Sequence, residues 1–119
     1  MENVLVSRGA TVVELARNYD SLDEVGTRRL EALLRELAES AEPPLLVVDM
    51  ARTVSIGSTF VGVLFAVSKR LRRRQGHLAI CRVEPNCAEV LHIVRAEAMF
   101  KSFATREEAI DELAGIGAG

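Results

Sequence analysis

The first part of the chain alternates short β-branched runs with one amphipathic segment. The runs at residues 4–6 and 11–15 are separated by Arg8-Gly9-Ala10, which predicts two strands joined by a tight turn. Leucines then recur at helical spacing while charged residues occupy the opposite face, as in an amphipathic helix ending near Ser40. Residues 21–24, Ser-Leu-Asp-Glu, have the form of a capping box at the start of that helix.

The middle of the chain predicts a buried strand followed by a second helix. Pro43-Pro44 ends the first helix, and the apolar run at residues 45–50 does not alternate, which is typical of a strand buried on both faces. We therefore predict that this strand is central. A broadly apolar helix follows at residues 60–71, and Gly76 stands where a helix C-terminus favours a residue at positive φ. The basic run at residues 69–74 suits a solvated helix end, with an acidic partner or an anionic membrane as the alternative.

The remaining pattern completes an α/β domain. Short apolar runs at residues 78–81 and 100–103 predict two more strands. Helices begin at Pro85 and at Thr105, the latter with a Thr-x-x-Glu capping box. The order β-β-α-β-α-β-α-β-α predicts one open mixed β-sheet of about four to five strands that opens on a β-hairpin and is layered with about four helices.

Length, charge and cysteine usage narrow the functional class. The 119 residues suit one domain, placed at residues 1–114 and followed by a flexible tail at residues 115–119. A formal charge of -2 argues against direct nucleic-acid binding. Because the chain lacks both an apolar run of about 18 residues and a signal-peptide pattern at its start, we expect a cytoplasmic protein without a transmembrane segment. Cys81 and Cys87 match no zinc-site spacing and are expected to be reduced thiols near the core.

Candidate chemistry lies in the loop after the central strand. Loops that leave the carboxyl ends of parallel strands hold ligands, and residues 52–59 are polar and lead into a helix. Ser58 can cap that helix, which is the ordinary role of a hydroxyl there; the same position tolerates a phosphate, because free N–H groups and the positive dipole end face it. His77 and His92 lie far apart without a nucleophile pattern around them, so we predict no catalytic activity, metal or cofactor.

Three segments together resemble the STAS domain, which is shared by sulfate transporters and bacterial anti-sigma factor antagonists. They are residues 46–50, 54–64 and 71–78, and the resemblance extends over nearly the whole chain. The most specific motif of that family is a strand ending in Asp-Leu, a short loop and then Asp-Ser-Ser-Gly-Leu-Gly at a helix start. The resemblance implies that, in the antagonists, a partner anti-sigma factor with serine kinase activity phosphorylates the first Ser of this motif. A metal-dependent phosphatase then removes the phosphate.

Four residues of this chain correspond to that motif. The resemblance assigns Asp49 to the strand-end Asp, Ser58 to the phosphorylated Ser, Thr59 to the second hydroxyl residue and Gly62 to the second Gly. It therefore implies that Ser58 is the phosphoacceptor.

Other positions depart from the family pattern. Gly57 replaces the Asp of the motif, Phe60 replaces its first Gly, and Arg95-Ala96 stands where the family commonly has Gly-Leu. Because the small residue of the family lies beside the loop that faces the partner, we expect Phe60 to be at least partly exposed; the alternative is a buried core Phe.

We therefore expect a regulatory protein-binding module that captures an anti-sigma factor kinase and releases it when Ser58 is phosphorylated. The alternative is a constitutive STAS scaffold subunit of a signalling or lipid-transport complex, which Gly57 and Phe60 favour because a ring without a neighbouring acid suits a fixed apolar interface. A nucleotide-binding or hydrolytic protein has only the loop location in its favour, and a homodimer is left open. The residues expected to contact the partner are Ser55, Gly57, Thr59, Phe60, Asp20 and Arg52.

Overall fold

A computed structural model describes the backbone of residues 2–19 and 24–118, which form one five-stranded sheet with helices on both faces. The strands are β1 (Asn3–Ser7), β2 (Ala10–Glu14), β3 (Leu45–Asp49), β4 (His77–Cys81) and β5 (Lys101–Phe103). The helices are α1 (Glu24–Ser40), α2 (Ser58–Arg73), α3 (Pro85–Ile93) and α4 (Arg106–Ala118), with a 3₁₀ turn at Ala96–Ala98. The predicted α/β architecture is confirmed.

The strands lie in the order β1-β2-β3-β4-β5, so that β3 is central as predicted. β1 is antiparallel to β2, and every other neighbouring pair is parallel. The turn of the opening hairpin is Arg8-Gly9, whose φ angles are both positive at 50° and 87°. Two positive φ angles in a two-residue turn match the right-handed twist of the strands, which explains the glycine there.

The central strand is buried on both faces, as its uninterrupted apolar sequence predicts. Leu46 and Val48 belong to the larger core cluster, together with residues of α1, α2 and α3. Leu45 and Val47 belong to the smaller cluster beneath α4. Since successive side chains of a strand point to opposite faces, one five-residue strand supplies both cores.

Gly76 has a different role from the predicted one. The residue with positive φ after α2 is Gln75, at 61°. Gly76 instead lies against the start of β3, where an added Cβ would be 2.0 Å from the carbonyl oxygen of Pro44. Its N–H donates to the carbonyl of Leu71 at 2.7 Å. The glycine is required by this close approach of two backbone segments rather than by its φ angle.

Gly76→Ala should lower the free energy of unfolding by about 1–3 kcal/mol, because the backbone must shift to admit the methyl group. Gly62→Ala is the matched control, since a Cβ at Gly62 in the middle of α2 meets nothing within 4 Å. The control should raise stability by about 0.5–1 kcal/mol through helix propensity. Urea denaturation of both variants measures this difference, and equal effects of the two substitutions would contradict the assigned contact.

The helix termini largely follow the sequence signals. The capping box predicted at residues 21–24 lies, in its first three residues, outside the described residues. At α4 the Thr105 Oγ1 accepts a hydrogen bond from the Glu108 N–H at 3.1 Å, which confirms the second capping box. α4 continues through Ala118, beyond the predicted domain end at residue 114.

Arg95, which stands at one of the positions that depart from the family pattern, has an unusual backbone conformation. It has a left-handed conformation after α3, with φ 57° and ψ 42°. Glycine adopts this conformation without a steric penalty, whereas another residue loses about 1 kcal/mol. Arg95 therefore adopts here a conformation that glycine would take at lower cost.

Candidate functional site

The loop between β3 and α2, residues 50–57, is bound to the segment that follows β2. Tyr19 and Ile56 form an isolated parallel bridge. The Tyr19 N–H donates to the Ser55 carbonyl at 3.0 Å, and the Gly57 N–H donates to the Tyr19 carbonyl at 2.7 Å. These two bonds fix the residues that immediately precede α2.

Side chains strengthen the same attachment. The hydroxyl of the buried Thr53 donates to the Arg17 carbonyl at 2.8 Å. The Val54 N–H donates to the Asn18 Oδ1 at 2.8 Å. From the other side, the Cys87 thiol lies 3.5 Å from the Thr53 carbonyl as a hydrogen-bond donor. The loop is therefore tied to the segment after β2 and to α3 at once.

Ser58 is the first residue of α2 and is exposed, as is Thr59. The N-cap is Gly57, with φ -110° and ψ 177°, and it supplies no side-chain hydrogen bond to the helix start. Ser58 therefore does not cap the helix, contrary to its simplest interpretation. The Asp of the family motif would stand at this N-cap, where carboxylates accept bonds from first-turn N–H groups. Gly57 has no side chain that could accept such a bond.

The prediction that Phe60 is at least partly exposed is wrong. Phe60 is fully buried, and its ring stacks on that of Tyr19, with the centroids 5.3 Å apart and the planes 20° from parallel. The physical reason is helical periodicity: Phe60 precedes Leu64 by four residues and so lies on the same inward face of α2. The alternative that it is a core residue is confirmed.

A charged cluster occupies the carboxyl ends of β2, β3 and β4. The side chain of Asp49 is only 1% exposed. Its carboxylate accepts hydrogen bonds from the Nε of Arg82 and the Nε of Arg106, each at 3.0 Å, and from the Ala51 N–H at 3.1 Å. Arg106 also forms an ion pair with Glu14. One buried carboxylate thus joins the end of β4 to the start of α4.

The electrostatics of this cluster favour the ionised carboxylates. Burial alone would raise the pKa of Asp49, but hydrogen bonds from Arg82 and Arg106 outweigh it and lower the pKa. The pKa of Glu14 is lowered mainly by its hydrogen bond with Arg106 and next by that with Asn3. Two carboxylates neutralised by two guanidinium groups form a structural clamp and are poor proton acceptors.

Sequence reasoning missed the partners of Asp49. A usable signal exists, because Glu14 and Asp49 end adjacent strands and Arg82 directly follows the next one. Arg82 also has a positive φ of 53°, which is unusual outside glycine and accompanies its contact with the carboxylate. Arg106, by contrast, comes from the helix after β5 and carries no such signal.

The other predicted site residues separate into two groups. Ser55, Gly57, Ser58 and Thr59 lie within five consecutive residues, at the end of the loop and the start of α2. Arg52 is exposed and lines a cavity of about 390 Å³ beside the Asp49 cluster, with Asn3, Glu14, Leu15, Ala16, Asp49, Ala51 and Arg82. Asp20 lies outside the described residues.

The comparison with family models gives a direct match. The model of the STAS domain matches residues 3–109. The chain belongs to the STAS domain family. A relative in Bordetella bronchiseptica, BtrV, which is named as an anti-sigma factor antagonist, is 31% identical over 88 residues, or 74% of this chain and 75% of that protein.

Solved structures agree with this STAS fold. An anti-sigma factor antagonist domain protein from Planctomyces limnophilus superposes with a TM-score of 0.82 at 23% identity, covering 95% of this chain and 97% of the other. Unphosphorylated SpoIIAA gives a TM-score of 0.77 at 20% identity, covering 97% of each chain. The phosphorylated form of SpoIIAA, a Bacillus cell fate determinant, gives 0.70 at 19% identity, covering 94% of this chain and 98% of the other.

The basic run of this STAS domain is largely used within the fold. Arg70 forms an ion pair with Glu39, and Arg74 forms one with Glu42, so that α2 is linked to the end of α1. Arg72 donates to backbone carbonyls at the end of the 3₁₀ turn. These contacts favour the structural interpretation of the run over an acidic partner or a membrane.

Other chemistry in the STAS domain is sparse. Cys81 and Cys87 are free and buried as expected, and burial raises the pKa of the Cys81 thiol to about 12. Within residues 2–19 and 24–118, no group of histidine, cysteine or acidic residues is arranged to hold a metal ion. None of the helices in the described part of the chain has both the length and the apolar character to cross a bilayer.

Proposed function

We propose that this STAS domain is a regulatory module that captures an anti-sigma factor with serine kinase activity in the cytoplasm and releases it when Ser58 is phosphorylated. The observation that carries the proposal is the exposed Ser58 at the first residue of α2, on a loop at the carboxyl edge of a parallel sheet. The similarity to BtrV supports the choice of partner class. The domain acts in this scheme by binding, with catalysis left to the kinase and to a matching phosphatase.

The start of α2 suits a phosphate. Its first turn contains no acidic residue, and Gly57 offers no side-chain acceptor to the helix. A phosphoserine adds about -1.5 to -2 charges at pH 7, which the positive end of the helix dipole and the first-turn N–H groups stabilise. The free protein should therefore stay folded after phosphorylation.

The same phosphate opposes a docked partner. The proposed contact surface contains Ser58, Thr59 and Val54, the last being the exposed apolar side chain of the loop at 48%. A partner packed over this surface would have to remove water from the phosphate without a compensating charge. Burying an unsatisfied charged group costs about 1–3 kcal/mol or more, which corresponds to roughly a tenfold or greater loss of affinity.

The hypothesis of a constitutive scaffold loses one of the two observations that favoured it. It rested on Gly57 and on an exposed ring at Phe60, and the ring is inside the core. The scaffold therefore becomes an outcome of the test below.

The test combines phosphate mapping with affinity measurement. The parent, Ser58→Ala and Thr59→Ala proteins are incubated with ATP and the anti-sigma factor kinase encoded nearest to this gene, and phosphate is located by mass spectrometry. We expect one phosphate on the parent and on Thr59→Ala and none on Ser58→Ala. The phosphorylated parent should bind the kinase at least about tenfold more weakly than the unmodified protein.

Thr59→Ala is the matched control, since it removes the neighbouring exposed hydroxyl and leaves Ser58. Phosphate at another residue, or equal affinity of the two forms, would contradict the switch. A Ser58→Asp protein that binds the kinase as tightly as the parent would instead support the scaffold.

A further inference from the structure

β1 is an edge strand whose outer side pairs with no other strand of the described chain. Its sequence, Asn-Val-Leu-Val-Ser, contains no lysine, proline or other residue that usually blocks edge pairing. Val4 and Val6 are 40% and 69% exposed on the same face of the strand. The edge thus combines free hydrogen-bonding groups with exposed apolar side chains.

We propose that β1 pairs antiparallel with β1 of a second copy of this chain, joining two five-stranded sheets into one continuous sheet. The two-fold axis passes beside Leu5, so that Leu5 lies opposite itself. The inference is independent of the function proposed for Ser58.

The hydrogen-bonding pattern of the hairpin selects this register. In a hairpin with a two-residue turn the flanking residues, here Ser7 and Ala10, form a hydrogen-bonded pair. Because the pattern alternates, Ser7, Leu5 and Asn3 bond to β2, whereas Val4 and Val6 direct their backbone groups to the free edge. Antiparallel pairing requires outward-directed residues to face each other, and the register that sets Val4 opposite Val6 meets this requirement while using the whole strand.

Side chains match in the same register. Val4 of each copy lies opposite Val6 of the other copy, so that four exposed valines lie together on one face. Asn3 lies opposite Ser7, so polar residues meet polar residues. Leu5 meets Leu5 on the face of α4, where a groove of about 490 Å³ lies between β1 and that helix. The residues that flank β1, Glu2 and Arg8, carry opposite charges, so the antiparallel arrangement avoids placing like charges together.

The interface is small. Five paired residues per copy bury less than the roughly 1,600 Å² of a standard protein interface. We therefore expect a reversible dimer whose population rises between micromolar and millimolar protein concentration.

Single cysteines on β1 test the register. In the non-hydrogen-bonded pair at the two-fold axis the Cα atoms are about 4.5 Å apart, within the range of a disulfide. Leu5→Cys should therefore form a disulfide-linked dimer under mild oxidation with copper phenanthroline. Ser7→Cys is the matched control, because its two copies are offset by about 13 Å along the strand and should not cross-link. The native cysteines are buried.

Sedimentation of the full chain tests the dimer itself. The parent should show a concentration-dependent shift from monomer to dimer, and Val6→Lys should abolish it by placing a charge on the edge. Ile93→Lys, an equally drastic change at an exposed position on α3, should leave the shift intact. A parent that stays monomeric, a dimer that survives Val6→Lys, or equal cross-linking of Leu5→Cys and Ser7→Cys would overturn the proposal.

Discussion

Phe60→Ala should lower the free energy of unfolding by about 3–5 kcal/mol, the loss expected when a fully buried aromatic side chain is removed from a packed core. The effect includes the stacking contact with Tyr19, whose ring would lose its neighbour. Equilibrium denaturation in urea at neutral pH measures the change. Because Phe60 is the third residue of α2, the same substitution should also loosen the start of the helix that presents Ser58.

Thr59→Ala is the control for this prediction. Thr59 precedes Phe60 in α2 but is exposed, so its truncation should change stability by no more than about 0.5 kcal/mol. A stable Phe60→Ala protein would mean that the ring lies outside the core, and partner binding by that variant would then need to be measured.

Asp49→Ala should lower the free energy of unfolding by about 2–4 kcal/mol. Removing one member of a buried ion pair is strongly destabilising because the remaining charge loses its partner. Two guanidinium groups are affected here, but the Arg82 side chain is 45% exposed and that of Arg106 is 22% exposed, so water recovers part of the loss. Thermal and urea denaturation at pH 7 measure the effect.

The same variant should change how stability depends on pH. The pKa of Asp49 is lower in the folded protein than its ordinary value of about 4, so its stabilising contribution is complete above that value. The contribution is lost as the pH falls through the folded pKa. Stability of the parent should therefore fall more steeply in acid than that of Asp49→Ala.

Asp111→Ala supplies the comparison. It removes an exposed ion pair with Arg8, which should be worth less than about 1 kcal/mol. If Asp49→Ala and Asp111→Ala had similar effects at pH 7, the Asp49 cluster would not be the clamp that its contacts indicate.

The fold was largely predictable because its signals are local. The unalternating run at Leu45–Asp49 marks the central strand. The Arg8-Gly9 turn, with its two positive φ angles, follows a short β-branched run. The Thr105 capping box likewise involves residues within one turn of each other. Each of these features depends on neighbours in sequence.

The site was predicted less completely because its determinants are distant in sequence. The resemblance to the STAS family indicated Ser58, but the burial of Phe60 depends on Tyr19, which comes from an irregular segment after β2. Gly76 is constrained by Pro44, which precedes the neighbouring strand β3, rather than by its own turn. Arg106 reaches Asp49 only once α4 has packed. Periodicity places Phe60 on the inward face of α2, but it does not identify Tyr19, Pro44 or Asp49 as the partners in these contacts.

The attachment of residues 50–57 to Tyr19 bears on what kind of signal this surface can transmit. With backbone bonds on both sides of Ile56 and with Thr53 and Val54 held as well, the loop has little freedom to rearrange when a group is added at the helix start. A partner would therefore respond to the changed charge of this surface, because its shape would stay nearly constant. Exposed charges are screened over about 8 Å at physiological ionic strength. The difference in partner affinity between the unmodified and the phosphorylated protein should therefore become smaller as the salt concentration rises.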